Sequence, residues 1–311
     1  MKVLIIARQK NERFAPFITE QVNALEKVGI ECKYYGVRRN GFWGYLMQYP
    51  SLLKMIHQFH PDLIHAHYGL CGVLANLQRR VPVVTTYHGS DINDPKVLRF
   101  SRIAIRLSRF NIFVSSKTVG IARPSGCFSL IPCGINLNDY PIVDRDDARR
   151  RMGLTPDGRY ALFAGAFDNP VKNAPLAKES VGMLPGVNLI ELKGYTREQV
   201  STLMQAVDVF LMTSLTEGSP QVIKEAMACG CPIVSVDVGD VKERMAGVDG
   251  CYVSLTREPQ EIADLLKKAL SFKGKTKGRE RVLADGLDNV QVAKRLMNVY
   301  YKTTHINESI S

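Results

Sequence analysis

The feature that most constrains the fold is an alternation of short apolar runs with longer amphipathic stretches along the chain. Apolar runs of strand length separated by helical segments are typical of α/β domains with parallel sheets. Two series of runs can be distinguished, and the predicted strands are 3–7, 31–37, 62–67, 82–87, 111–115 and 128–132, then 161–164, 188–192, 209–212, 233–236 and 252–255. The pattern therefore predicts an α/β fold.

A charged segment without strand character, 144–159, separates the two series and contains a Thr-Pro-Asp-Gly turn. We place the domain linker there, so the sequence predicts a first domain over 1–143 and a second domain over 144–288. A C-terminal segment, 289–311, is expected to hold one last helix followed by a frayed tail from His305.

The chain has 311 residues and a formal net charge of +11, which favours anionic partners: nucleic acid, an acidic lipid surface or a phosphorylated substrate. No nucleic-acid-binding motif is found, so nucleic acid is not expected as a partner. No apolar stretch approaches the ~20 residues that span a bilayer, and the first run is too short for a signal peptide. The seven cysteines lack a pairing or metal-ligand pattern. We therefore expect a cytoplasmic protein with reduced thiols, peripheral on the inner face of the cytoplasmic membrane if it contacts one.

The segment most informative about function is a loop followed by a helix in the second half of the chain. Ser219 is a good N-cap, Pro220 suits the first helical position, and Gly230 ends the helix. Glu217 then precedes the helix, and Glu225 lies about one and a half turns inside it. A helix N-terminus binds anions such as phosphate, and carboxylates accept hydrogen bonds from hydroxyl groups. Two Glu residues alone more often mark a solvated face, but this combination meets what a nucleotide sugar requires.

The stretch Glu-Gly-Ser-Pro-Gln-Val-Ile-Lys-Glu-Ala-Met-Ala-Cys-Gly-Cys-Pro-Ile-Val resembles the donor-site segment of retaining glycosyltransferases of family 4, which have the GT-B fold. The resemblance implies two Rossmann-like domains facing each other across a cleft. The first would be the acceptor side, the second would bind the nucleotide sugar, and the last helix would cross back to the first. Transfer in this family is metal-independent, so no metal and no cofactor beyond the donor substrate are expected.

The same resemblance assigns roles within the segment. Glu217 is expected to lie against the donor sugar, and Glu225 is expected to hold the ribose hydroxyls of the nucleotide. Backbone amides of Gly218, Ser219 and Gln221 are the expected donors to the sugar and the phosphate, because Pro220 has no N–H.

A second segment, Phe-Ala-Gly-Ala-Phe-Asp-Asn-Pro-Val-Lys-Asn, resembles the family's diphosphate-binding loop, which usually supplies an Arg and a Lys. Lys172 matches the Lys and would stabilise the leaving nucleotide, and Gly165 lies in the same donor-binding loop. Ala166 stands where the Arg is expected, so half of this clamp is missing. Lys10 or Arg13, from the loop after the first strand, is a hypothetical replacement.

A third segment, Tyr-His-Gly-Ser-Asp, follows a strand directly and resembles the family's His-Gly-Ser-Asp loop, whose His lies near the donor sugar. This implies a catalytic role for His88 and an acceptor-side role for Asp91, with Tyr68 and Arg13 as further acceptor-side candidates. A buried histidine bonded to its surroundings is the alternative for His88. His65 and His67 alternate along one strand, but no carboxylate or Cys completes a metal set, so a metal site is not expected.

Two further stretches have a structural interpretation by default. The aromatic and aliphatic side chains at 43–53 suit core packing, with a membrane-facing surface as the alternative. Residues 238–243 are predicted to form a plain turn and helix start after a strand.

The sequence thus favours a retaining glycosyltransferase that moves a sugar from a nucleotide-diphosphate sugar to the hydroxyl of a glycan or lipid-linked glycan. The expected setting is surface polysaccharide or lipopolysaccharide assembly. Two alternatives stay open: a nucleotide-sugar epimerase of the same fold, and a non-catalytic sugar-nucleotide-binding protein, which the missing Arg at Ala166 favours. A nicotinamide dehydrogenase is opposed by the lack of G-x-G-x-x-G.

Overall fold

A computed structural model describes residues 1–305, and the remainder of the predicted tail lies outside the described residues. The chain divides into two compact units, one made of residues 1–134 together with the chain from Asn289, the other of Ile135–Asp288. Each unit contains a parallel sheet with helices, so the predicted α/β class is confirmed.

The first unit alternates strands and helices in the order that the apolar runs predict. Its elements are β1 (Lys2–Arg8), α1 (Pro16–Lys27), β2 (Glu31–Val37), α2 (Gly41–Leu46), α3 (Tyr49–Phe59), β3 (Leu63–His67), α4 (Gly69–Asn76), β4 (Val83–Tyr87), α5 (Ser90–Asn93), α6 (Pro95–Leu107), β5 (Phe110–Phe113), α7 (Ser116–Ala122) and β6 (Phe128–Leu130). The strand order is β2-β1-β3-β4-β5-β6. Because strand order reverses between β1 and β3, the carboxyl ends of these two strands are where an open α/β sheet binds ligands.

The second unit repeats this plan with five strands. Its elements are α8 (Arg145–Met152), β7 (Arg159–Phe163), α9 (Ala174–Gly182), β8 (Val187–Glu191), α10 (Arg197–Ala206), β9 (Val209–Met212), α11 (Gln221–Ala228), β10 (Ile233–Val236), α12 (Val241–Met245), β11 (Cys251–Ser254), α13 (Pro259–Ser271) and α14 (Gly278–Ala284). The order β11-β10-β9-β7-β8 puts the reversal between β7 and β9. β9 is completely apolar and buried, and β7 is so from Tyr160 onward after the exposed Arg159, as expected for strands with both faces covered.

The units divide at Gly134–Ile135, ahead of the predicted linker at 144–159. Ile135 and Tyr140 are buried in the core of the second unit, and the Ile135 amide donates to the Leu287 carbonyl at 2.9 Å. The predicted linker itself forms α8, capped by the Asp144 side chain. Arg149 on this helix is buried and pairs with Asp208 at 3.0 Å, which explains why so charged a segment belongs to the folded unit.

The last helix, α15 (Asn289–His305), belongs to the first unit. Val292, Leu296 and Tyr300 are buried in the same apolar cluster as Ile18 and Val22 of α1. Gly134 allows the helix to begin here, because a Cβ at that position would lie 2.5 Å from the Asn289 side-chain oxygen. The first unit is therefore discontinuous in sequence, with the whole second unit inserted between its two parts.

Candidate active site

An ion pair marks the ligand-binding edge of the second sheet. Lys172 Nζ lies 2.7 Å from Glu217 Oε1, and both side chains are largely buried, with exposed fractions of 21% and 17%. Lys172 follows β7 and Glu217 follows β9, so the pair bridges the two strands between which the strand order reverses. Ligands of open α/β sheets bind at this position. The two predicted site residues are thus brought together.

The loops that carry the pair are joined through their backbones. The Leu215 amide donates to the Val171 carbonyl at 2.8 Å, and the Thr213 hydroxyl donates to the Lys172 carbonyl at 3.0 Å. The short helical turn Pro170–Lys172 is capped by the Asn169 side chain. These bonds fix the direction of Lys172 without using its ammonium group.

The lack of a side chain at Gly165 leaves room for the Lys172 side chain. A Cβ at Gly165 would lie 2.8 Å from Lys172 Cγ, closer than carbon atoms pack. Gly165 therefore acts through Lys172. Ala166, in the place of the missing Arg, has no polar side chain, and compensation by Lys10 or Arg13 stays a prediction.

The loop before α11 differs from the predicted cap. α11 begins at Gln221, Pro220 is its N-cap residue, and the Ser219 hydroxyl donates to Asp240 Oδ2 at 2.8 Å instead of capping the helix. The reason is that Asp240, after β10, brings a buried acceptor to Ser219. Within residues 1–305, the amides of Gly218 and Ser219 have no hydrogen-bond acceptor. They therefore remain able to bind an anionic or hydroxyl-bearing ligand beside Glu217.

Buried charges behind this loop hold it in place. Burial raises the pKa of Asp240, opposed by Lys224, the Ser219 hydroxyl and Arg244. Lys224 is completely buried on α11 and donates to Gln221 Oε1 at 2.7 Å. Gly239 packs on the same loop, because a Cβ there would lie 2.5 Å from the Gly218 carbonyl oxygen. The turn at 238–243, predicted as plain, is therefore part of the support of the site.

Sequence reasoning missed Lys224 and Asp240 as one network. A lysine flanked by Ile223 on one side and followed by the small and apolar run 226–228 was the available signal for Lys224. Asp240, the acidic member of the network, comes from the next strand-helix connection, which sequence spacing does not reveal.

Glu225 has a different environment from Glu217. It lies on α11, and burial and then the negative charge of Glu225 raise the pKa of Tyr140. Arg197 lies over the Tyr140 ring, 5.9 Å from its centroid, and pairs with Asp139 at 3.3 Å. Tyr140 and Arg197 are further site candidates that the sequence analysis did not include.

In the first unit, three histidines form a stack. The ring centroids of His65 and His67 are 4.4 Å apart, and those of His67 and His88 are 5.2 Å apart. His67 Nδ1 bonds His88 Nε2 at 2.9 Å, and His88 Nδ1 lies 3.6 Å from Cys133 Sγ. Both ring nitrogens of His88 therefore have partners within the protein, which is the satisfied arrangement named as the alternative. A catalytic role for His88 stays a prediction.

Asp91 and Tyr68 occupy neighbouring positions. The Asp91 carboxylate accepts the amides of Gly69, His88 and Gly89 at 3.0, 2.9 and 3.1 Å, so its two oxygens join two loops. Burial raises the pKa of Asp91 to about 6, and these backbone bonds oppose the shift. Tyr68 has a positive φ of 74° and packs its ring 4.8 Å from His88. Asp91 thus supports the loops, and Tyr68 borders them.

Acidification is expected to destabilise the protein as the pH falls below about 6.5. Burial lowers the pKa of His67 from 6.5 to about 3, and burial followed by the charges of the other two histidines lowers that of His65. Below this pH the unfolded chain therefore binds two more protons than the folded chain. Each of these protons lowers the free energy of unfolding by about 1.4 kcal/mol per pH unit. Asp91, whose pKa is raised from 3.8 to about 6, acts in the opposite sense below pH 6 and offsets one histidine.

Urea unfolding at several pH values between 4 and 7.5 measures this effect, because the free energy of unfolding should fall steadily with pH. A free energy that rises on acidification would show that the buried histidines do not control it.

Among residues 1–305, no three His, Cys, Asp or Glu side chains are grouped as a metal site. Over the same residues, no helix is both long and apolar enough to cross a bilayer.

Comparison with known families decides the class. The profile described as Glycosyltransferase Family 4 matches residues 2–139, and that described as Glycosyl transferases group 1 matches residues 160–271. The chain belongs to the family 4 glycosyltransferases. As a member of this family it is a transferase of the hexosyltransferase class with the GT-B fold, as predicted.

Related proteins agree with this assignment. The chain is 26% identical to the putative teichuronic acid biosynthesis glycosyltransferase TuaC of Bacillus subtilis, over 82% of this chain and 74% of that protein. It is 24% identical to the D-inositol 3-phosphate glycosyltransferase of Mycobacterium marinum, over 63% of this chain but only 53% of that enzyme. The chain thus spans about half the length of the latter relative.

Solved structures show the same fold. Sucrose-phosphate synthase from Thermosynechococcus elongatus superposes with a TM-score of 0.82 at 16% identity, covering 97% of this chain and 98% of that one. HepE from Anabaena, in complex with UDP and glucose, superposes with a TM-score of 0.76 at 19% identity, covering 96% and 99%.

Proposed function

We propose that this glycosyltransferase moves a hexosyl group from a nucleoside-diphosphate sugar to an acceptor hydroxyl with retention of anomeric configuration. The observation that carries the proposal is the Lys172–Glu217 pair at the ligand-binding edge of the second sheet, beside the unpaired amides of Gly218 and Ser219. Together these groups match the parts of a nucleotide sugar: a cation and amide donors for the diphosphate, and a carboxylate that accepts hydrogen bonds from sugar hydroxyls.

Each group has a distinct task in this proposal. The bond between the sugar C1 and the diphosphate oxygen breaks, and Lys172 with the loop amides stabilises the negative charge that develops on the diphosphate. Glu217 accepts hydrogen bonds from sugar hydroxyls, and Glu225 accepts those of the ribose. The acceptor oxygen forms the new bond to C1, and its proton passes to the departing diphosphate. Because Lys172 and the loop amides can stabilise the charge on the diphosphate, we propose transfer without a metal. An assay in excess EDTA tests this.

The printed names of related proteins suggest the substrates. HepE has been crystallised with UDP and with UDP-glucose, so a uridine nucleotide sugar is the first donor to test. TuaC is named for teichuronic acid biosynthesis, which supports an acceptor in polysaccharide assembly. We extend this to surface polysaccharide or lipopolysaccharide assembly.

Replacing Glu225 with alanine is expected to weaken nucleotide binding by about 10–100-fold, the usual value of a hydrogen bond to a charged group. The measurement is the rise in melting temperature of the protein with a panel of nucleotides and nucleotide sugars, since a ligand that binds only the folded state stabilises it. Glu179→Ala, an exposed carboxylate on α9, is the matched control and should retain the full shift.

Wild-type protein that shows no shift with any nucleotide at millimolar concentration would contradict the donor site. Turnover of the donor then separates the reaction classes. Nucleotide release that depends on an acceptor is expected of a transferase, whereas conversion of the donor sugar without an acceptor would indicate an epimerase. Normal binding without product across a broad acceptor panel would indicate a non-catalytic protein.

We further propose peripheral contact with an anionic membrane through one face of α6. This helix has no acidic residue, and its exposed side chains are basic or apolar: Lys96, Arg99, Arg102, Ile103, Arg106 and Leu107. Phe42 on α2 stacks on Phe100 at 5.2 Å, which places the strongly exposed Trp43 beside this face. Basic residues near an anionic bilayer contribute about 1 kcal/mol each.

The triple variant Arg99→Gln, Arg102→Gln, Arg106→Gln is therefore expected to bind anionic vesicles about 100-fold less tightly. Vesicle flotation measures the binding, with vesicles of neutral lipid and the variant Lys27→Gln, Lys54→Gln as controls. Equal binding of wild type and the triple variant would place any membrane contact elsewhere.

A further inference from the structure

The first unit contains a cavity that none of the proposed donor-site groups of the second unit lines. Its volume is about 1130 Å³, and its lining includes three cationic side chains, Arg8, Lys10 and Arg13, and three aromatic ones, Phe14, Tyr45 and Tyr68. These residues come from β1, from the connections that follow β1 and β3, and from α2. The cavity therefore lies where the strand order of the first sheet reverses.

We propose, on the basis of the proposed function, that the acceptor carries a phosphate or carboxylate group and that Lys10, Arg13 and Arg8 bind this anion in the first-unit cavity. The inference names the substrate class of the transferase, which the family assignment leaves open.

A tight hairpin places two of the cations together. The Lys10 amide donates to the Arg13 carbonyl at 3.0 Å and the Arg13 amide donates to the Lys10 carbonyl at 2.9 Å, so the two residues face each other as a hydrogen-bonded pair. The residues between them, Asn11 and Glu12, have φ values of 47° and 61°, as in a two-residue type I′ turn. Residues paired in this way extend their side chains to the same face.

This pairing is unfavourable without a ligand. Like charges directly opposite each other on paired strands destabilise the pair. Across residues 1–305, no ion pair engages Lys10 or Arg13. Arg8 donates to a neutral amide oxygen, Asn40 Oδ1, at 2.6 Å. An anion bound between these groups would remove the repulsion and gain charge-assisted hydrogen bonds.

The carboxylate in the cavity wall already accepts hydrogen bonds from the backbone. Asp91 lines the cavity, but its two oxygens accept backbone amides from Gly69, His88 and Gly89. The residues that line the cavity thus include three cationic side chains and one carboxylate, and the carboxylate is hydrogen-bonded to backbone amides. Three aromatic side chains also line the cavity, so it combines cations for an anion with apolar surface for an attached ring.

The test compares probes that differ only in the anionic group. Binding of glucose 6-phosphate, glucuronate and glucose to the full chain is measured by ligand-detected NMR titration, at low and high ionic strength. The charged probes are expected to bind at least about tenfold more tightly than glucose, with the difference reduced by salt. The variant Lys10→Gln, Arg13→Gln should lose this difference, whereas Lys27→Gln, Lys54→Gln, with the same change of charge outside the cavity, should keep it.

The two charged probes distinguish a phosphate-bearing acceptor from a carboxylate-bearing one, and a preference for either supports the inference. Equal binding of all three probes, or equal loss in both variants, would overturn it. Nucleotide-induced stabilisation is measured on the same samples. If the Lys10→Gln, Arg13→Gln variant loses this stabilisation, the two cations serve the donor diphosphate and the inference is overturned.

The failure of the proposed function gives a different result. Charged probes would then bind in the first unit while no nucleotide stabilises the protein. Nucleotide stabilisation without any preference for charged probes would leave the transferase assignment standing and remove the anionic acceptor.

Discussion

Replacing Lys172 with methionine is expected to lower kcat of glycosyl transfer by about 10²–10³-fold, the effect of removing one group that stabilises developing charge. The ammonium group is the only basic group of the clamp that the loop after β7 supplies, because Ala166 stands where the family has an Arg. Methionine matches the lysine side chain as far as Cε and keeps its packing against Gly165, so the fold should be retained. Steady-state kinetics with the donor identified by thermal shift measure the change.

Lys178→Met is the matched control for this variant. Lys178 lies on the neighbouring helix α9, its ammonium group 4.4 Å from the centroid of the Phe167 ring, and should leave kcat within about twofold of wild type. Lys172→Arg should recover part of the rate, since it restores the charge with a different shape. A Lys172→Met enzyme as fast as wild type would show that the lysine does not act on the leaving group.

Replacing Gly239 with alanine is expected to weaken donor binding by about tenfold or more and to destabilise the second unit by about 1–3 kcal/mol. Gly239 has a φ of +53°, and its new Cβ would lie 2.5 Å from the Gly218 oxygen and 2.9 Å from its carbonyl carbon. The contact is with backbone, so the loop that carries Glu217 and the free amides has to move. Thermal shift with nucleotide and urea unfolding measure the two effects separately.

Gly247→Ala distinguishes collision from backbone strain. Gly247 also has a positive φ, +72°, but nothing lies within 4 Å of its added Cβ. Its replacement should cost only the strain of a left-handed residue, about 1 kcal/mol, and should leave donor affinity unchanged. Similar losses of affinity in both variants would mean that Gly239 acts through its conformation and not through Gly218.

Local pattern was sufficient to predict the class of fold. The alternation of apolar runs located strands such as β1, β7 and β9, because parallel strands whose central residues are covered on both faces leave a continuous apolar signal. The proposed donor segment could be recognised for a related reason, since Glu217 and its loop are contiguous in the chain, and its binding role stays a prediction. Lys172 came from a resemblance, and the structure supplied its contact with Glu217.

The features that could not be predicted from the sequence depend on contacts between residues that are distant in the chain. Ser219 looked like a helix cap until the Asp240 carboxylate, from the next connection, was seen to accept its hydroxyl. The partners of His88 likewise come from β3 and from Cys133, far apart in the chain. The unit boundary at Gly134 was missed because Ile135 and Tyr140 are apolar residues in a segment without periodicity, and only packing shows which core they join.

The return of α15 to the first unit has a consequence for engineering. The stretch 135–288 is an insertion within the other unit, and its two ends are neighbours, since Ile135 and Asp288 form a parallel bridge. The proposed donor-site groups, from Lys172 to Gly239, lie within this insertion, and the three cavity cations lie outside it. On the proposed function, a chimaera built by exchanging this one cassette would therefore carry a new donor preference on an unchanged acceptor scaffold, with its two splice points adjacent to each other.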